Sequence, residues 1–129
     1  MSLSWSERRQ QRVLGWAEDR FGSVAANDPH ERVQRVFEEA AEIAQIFLPK
    51  EALLSVIDYV YSRPAGRAGQ EMAGVGVTLL ALAECLGIDL ADAIDEEIER
   101  IHTLPVDHFR ARQQAKADAG IARAPGVRS

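Results

Sequence analysis

At 129 residues, with 47% aliphatic and aromatic side chains, the chain is one domain long and can bury roughly two-thirds of its unfolded surface in a single core. A net charge of −5 argues against the basic footprint of a nucleic-acid binder, yet a local Arg or Lys cluster could still hold a small polyphosphate. The single cysteine, Cys85, excludes a disulfide within the chain, and its apolar neighbours predict a small buried core residue.

The opening residues, MSLSWSERRQQ, lack the apolar stretch of a signal peptide, and the longest uncharged run, Met72 to Ala83, is too short to span a bilayer. A cytoplasmic protein with no membrane partner is therefore expected. The first amphipathic helix is predicted from about Trp5 to Phe21, with Trp5, Val13, Trp16, Ala17 and Phe21 inward and Gly22 ending it. A second starts at NDPHE: Asp28 caps, Pro29 takes the first helical position, and Glu31 closes a capping box. It runs to about Phe47. Pro49 opens a third helix, PKEALLSVIDYVYS, and RPAGRAG breaks the chain. The fourth covers about Gln70 to Leu86 with Gly87 just past its end, and Asp89 caps a fifth, DLADAIDEEIERIH. VDHFRARQQAKADAGIA forms one more short helix, and RAPGVRS reads as a frayed tail. No segment alternates as a strand does, so the class is all-α: one domain over 1–129, with a core of about 5–104 and a C-terminal extension 105–129.

At about 100° per residue, Val33, Val36, Phe37, Ala40, Ile43, Ala44 and Phe47 gather in one stripe of the second helix, its expected core face. Glu38 and Glu42 lie nearly opposite, Glu39 flanks the stripe, and Ile46 shares the acidic side. The fourth helix is apolar around its whole circumference from Met72 to Ala83. Such a helix is buried on every side, which in a chain this small points to a partner subunit and hence to a homo-oligomer. Gly74 and Gly76 each cost helix propensity, which close backbone approach would explain. Glu71 heads the helix, and its charge needs solvent, a base or a cation.

Glu38-Glu39-x-x-Glu42, then Glu71 about thirty residues later, then LLALAECLGIDLADAIDEEIERI, resembles the MazG-like all-α nucleoside triphosphate pyrophosphatase superfamily over roughly residues 30 to 102. The resemblance implies a helical bundle of five to six helices that assembles as a dimer or tetramer. It also implies a Mg²⁺-dependent enzyme, with Mn²⁺ as an alternative ion, that cleaves a nucleoside triphosphate to monophosphate and pyrophosphate in nucleotide house-cleaning. Carried onto this chain, Glu39, Glu42 and Glu71 are the metal ligands, and Glu38 or Glu39 is the base. The family's fourth acid, three residues after Glu71, is Gly74 here. That departure motivates the alternative: a MazG-like protein that binds nucleotide or a partner without hydrolysis.

The chemistry suits those residue types. Carboxylates at i and i+3 point the same way, crowded carboxylates repel without a cation between them, and Mg²⁺ completes its shell with water and phosphate oxygens. Candidate phosphate partners are Arg63, Arg67 and Lys50, with Arg110, Arg112 and Lys116 more readily read as solubilising charge. Trp5, Trp16, Tyr59 and Tyr61 could stack on a base, although packing is the simpler use. His30, His102 and His108 lack metal-ligand spacing, Asp95 to Arg100 reads as a solvated acidic face, and neither a P-loop nor a covalent nucleophile is evident.

Overall fold

The computed structural model describes residues 2–126 as seven α-helices, with no β-strand among them. These are α1 (Trp5–Phe21), α2 (Ser23–Ala26), α3 (Pro29–Phe47), α4 (Lys50–Tyr61), α5 (Ala68–Leu86), α6 (Leu90–Thr103) and α7 (Val106–Asp118). The one-turn α2 is the only element without a counterpart in the sequence reading. The chain divides into two compact units, one formed by residues 2–43 with 102–126 and the other by Ala44–Ile101.

In the first unit α1 begins with a capping box. The Ser4 hydroxyl accepts the Glu7 N–H at 3.1 Å and the Glu7 carboxylate accepts the Ser4 N–H at 2.7 Å. That backbone bond, with the hydroxyl's, holds the Glu7 carboxyl below its ordinary range. α1 packs on α2 and α7. The core is small: Ala17, Phe21, Ala25 and Ala26 are buried, and Trp16 and Phe109 pack against them. Trp16 meets Phe21 and Phe109 edge-on, with centroids 5.6 and 4.9 Å apart, a geometry that adds roughly 0.5–1.5 kcal/mol per pair beyond area burial. Because Phe109 comes from α7, the C-terminal segment is built into this core. Trp5, expected inside, is exposed under the Arg9 guanidinium, 4.2 Å from its ring centroid.

The tail is tied down as well. α7 ends in a Schellman motif: Gly120 at φ 79° lets the Ile121 N–H reach the Lys116 carbonyl at 3.0 Å. The Gly126 N–H then donates to the Phe21 carbonyl at 2.7 Å, and Arg110 donates to the carbonyls of Arg20 and Gly126 at 2.8 and 2.7 Å. The expected frayed end therefore begins no earlier than Gly126, and residues 127–129 of RAPGVRS lie outside the described residues.

In the second unit the helix boundaries follow local signals. Pro49 precedes α4, and Gly87, at φ 68°, closes a Schellman motif in which the Ile88 N–H reaches the Ala83 carbonyl at 2.9 Å. Asp89 caps α6 by accepting the Asp92 N–H at 3.0 Å. Packing is sparse. Ala83 and Ile98 are the buried apolar residues described here, while Val56, Tyr59, Val60, Tyr61, Met72, Val77 and Leu80 are more than half exposed. Cys85, expected in the core, is exposed too. Among the described residues, no single helix is long and apolar enough to cross a membrane.

Candidate functional site

On α3 the residues Glu31, Arg35, Glu38 and Glu42 recur every three or four positions and so form one polar row. It lies opposite the apolar stripe, as the angles require. The surprise is which side the chain covers. Val33, Val36, Phe37 and Phe47, expected as the core face, are each more than half exposed. Glu31, Arg35 and Glu38 of the polar row instead bond to α7 and the tail.

Glu31 is the centre of that contact and is 1% exposed. Its carboxylate accepts the Gln113 side-chain amide at 2.6 Å and the Arg123 backbone N–H at 2.7 Å, and Arg35 Nε lies 3.2 Å away. The predicted capping box is absent because this carboxylate turns to α7 and the tail. Asp28 does cap, accepting the His30 N–H at 3.0 Å. Arg123 also bonds the Asp28 carboxylate at 3.0 Å and, as the largest influence, holds it below its ordinary range.

Glu38 is equally committed. Arg35 Nη1 lies 2.5 Å from one carboxylate oxygen and Lys116 Nζ 2.8 Å from the other, and the Arg35 guanidinium also bonds the Ile121 carbonyl. Glu39, the other candidate base, is exposed one position along the helix. Lys116 and Arg110 are likewise engaged within the unit, so their charge serves the fold. Glu42 is exposed, and among the described residues its carboxylate has no hydrogen-bond or ion-pair partner.

Glu71 belongs to the second unit, in the first turn of α5. Its carboxylate also has no such partner among the described residues. It lies back over the RPAGRAG loop, where a Cβ at Gly66 would stand 2.5 Å from Glu71 Oε1. In the same loop the Arg63 guanidinium rests over Tyr59, 5.6 Å from the ring centroid, with Nη1 3.4 Å from the hydroxyl. Arg67 and Lys50 are exposed. At Gly74 and Gly76 an added Cβ would meet nothing within 4 Å, so no close approach within the chain accounts for them.

The acids of α3 and Glu71 thus sit in different compact units, and among the described residues no three His, Cys, Asp or Glu side chains gather as a metal group. No protein-family model, curated protein or solved structure matches the chain. The functional reading rests on the residues themselves. What the sequence reading missed is the Glu31–Gln113–Arg123 cluster, whose partners lie 82 and 92 positions apart and leave no local pattern to find.

Proposed function

We propose that the chain is a MazG-like nucleotide pyrophosphohydrolase that cleaves a nucleoside triphosphate to monophosphate and pyrophosphate and works as a homo-oligomer, a dimer or a tetramer. The observation that carries the reading is the Glu39–Glu42 pair, one turn apart on α3, followed by Glu71 in the first turn of α5, with Glu42 and Glu71 both unpartnered among the described residues. Glu42 and Glu71, exposed and with no cation of their own, offer the oxygen donors that a hard divalent ion takes. Held by Glu39, Glu42 and Glu71, Mg²⁺ or Mn²⁺ would neutralise the phosphates and favour ionisation of the attacking water. Glu38 or Glu39 accepts the proton from that water, while Arg63, Arg67 and Lys50 bind the leaving pyrophosphate. The oligomer is supported by the apolar faces of α3, α4 and α5, which the chain leaves in water.

The deciding measurement is pyrophosphate release from a panel of nucleoside triphosphates with Mg²⁺ or Mn²⁺, comparing the native chain with Glu42→Gln. Metal-dependent release that the substitution lowers by at least ~100-fold is the expected result. Gly74 favours a second reading, in which nucleotide is bound and not cleaved, because a glycine offers no side-chain ligand. Under that reading no nucleotide yields pyrophosphate but one raises the melting temperature. Gly74→Asp has open space to occupy and tests the missing acid directly.

A further inference from the structure

The second unit lacks what holds the first together. Among the residues of Ala44–Ile101, Ala83 and Ile98 are the buried apolar side chains, and no two of α4, α5 and α6 pack closely on one another. A segment of that length is marginal even when it buries about 60% of its unfolded surface. Here Val56 and Val60 on α4 and Met72, Val77 and Leu80 on α5 are each more than half exposed. Helices of 12 and 19 residues are poorly held in water by propensity alone, the less so with Gly74 and Gly76 inside the longer one. Their stability has to come from packing that the single chain does not supply.

We infer that Ala44–Ile101 folds only against the same segment of a second copy, α4 and α5 of the two chains supplying one shared core, while the first unit folds in the single chain. The inference rests on the self-association part of the functional reading and is independent of its chemistry. The area to be covered is that of an obligate interface. A folded monomer of 14.2 kDa exposes about 6,800 Å² by the usual scaling with mass, and this chain exposes 9610 Å². Covering about half of the difference in each of two copies makes a joint interface of about 2,800 Å², within the range of obligate dimers. Charge selects the occupant. From Met72 to Ala83 α5 carries no charged side chain, so a charged surface pressed on it would lose water and gain no counter-ion. An identical face has the matching apolar character, is present at equal concentration, and pairs about a two-fold axis in which each copy gives and receives the same contacts.

The test is urea unfolding of the full chain at two protein concentrations about a hundredfold apart, read peptide by peptide by pulsed hydrogen exchange, with light scattering giving the mass. The native protein is expected at twice the chain mass or more. The midpoint for α4, α5 and α6 is expected to rise with concentration, the apparent unfolding constant of that segment falling at least about a hundredfold by mass action. The midpoint for α1 and α7 stays where it is, as does the fluorescence transition of Trp5 and Trp16, which both lie on α1. Leu80→Glu is expected to give single chains with native tryptophan fluorescence and with α4, α5 and α6 unprotected. Single chains of either protein that keep these helices protected overturn the inference. So does an oligomer in which their midpoint ignores concentration, a result that leaves self-association standing. A concentration-dependent midpoint shared by α1 and α7 overturns the separate folding of the first unit. A native protein of single-chain mass at both concentrations removes the self-association reading and this inference together.

Discussion

Glu31 carries the most consequence for a single side chain outside the proposed site. A buried carboxylate is tolerated when cations and N–H donors surround it, and removing it leaves those donors stranded without water. Glu31→Ala strips an acceptor from the buried Gln113 amide and the Arg123 N–H and is expected to destabilise the chain by about 3–5 kcal/mol. Glu97→Ala removes an exposed pair with Arg100 and is expected to cost under about 1 kcal/mol. Urea midpoints of the two variants check the contrast; equal shifts would show the buried cluster to be energetically idle. In the sequence Glu31 looks like the third residue of a capping box, a local role that the nearby Asp28 made plausible. The tertiary bonds won because they bring several donors to a carboxylate that has lost its water, where the local box brings one.

The elements were legible because their boundaries are set by neighbours in sequence. Ser4 with Glu7, Gly22, Pro49, Gly87 and Asp89 mark helix ends that depend on backbone groups within five positions. Gly87 and Gly74 on the same helix then make opposite predictions. Gly87→Ala forces a Cβ into the left-handed region and is expected to cost about 1–2 kcal/mol. Gly74→Ala adds a methyl to open space in a helix interior and is expected to contribute up to about 1 kcal/mol of stability. Thermal melts of both variants read the signs. A fall in melting temperature for Gly74→Ala would place a second backbone against that turn, the close approach that this chain alone does not supply.

For the molecule as a whole, the outstanding feature is apolar surface left in water. Each large aliphatic or aromatic residue that moves from exposure to full burial contributes about 1.5–3 kcal/mol, so the faces carrying Val33, Phe37, Val56, Tyr59, Met72, Val77 and Leu80 hold a strong drive to associate. Light scattering on the eluting native protein is expected to give at least twice the mass of the 14.2 kDa chain. Leu80→Glu places a charge in the uncharged stretch of α5 and is expected to lower that mass or to aggregate the protein. A native protein that elutes as a monomer, with Leu80→Glu unchanged in mass and melting temperature, would remove the case for self-association.

By itself the sequence determined the all-α class, nearly every helix boundary and the apolar and polar sides of α3, since periodicity and capping act over a few residues of one chain. The tertiary structure alone decided which side of α3 the chain would cover. Periodicity says that two faces differ, but the covering depends on what α7 and the tail bring from about eighty to ninety positions away: a side-chain amide, an ammonium and one backbone N–H that match Glu31 and Glu38 and have nothing to offer the valines and phenylalanines opposite.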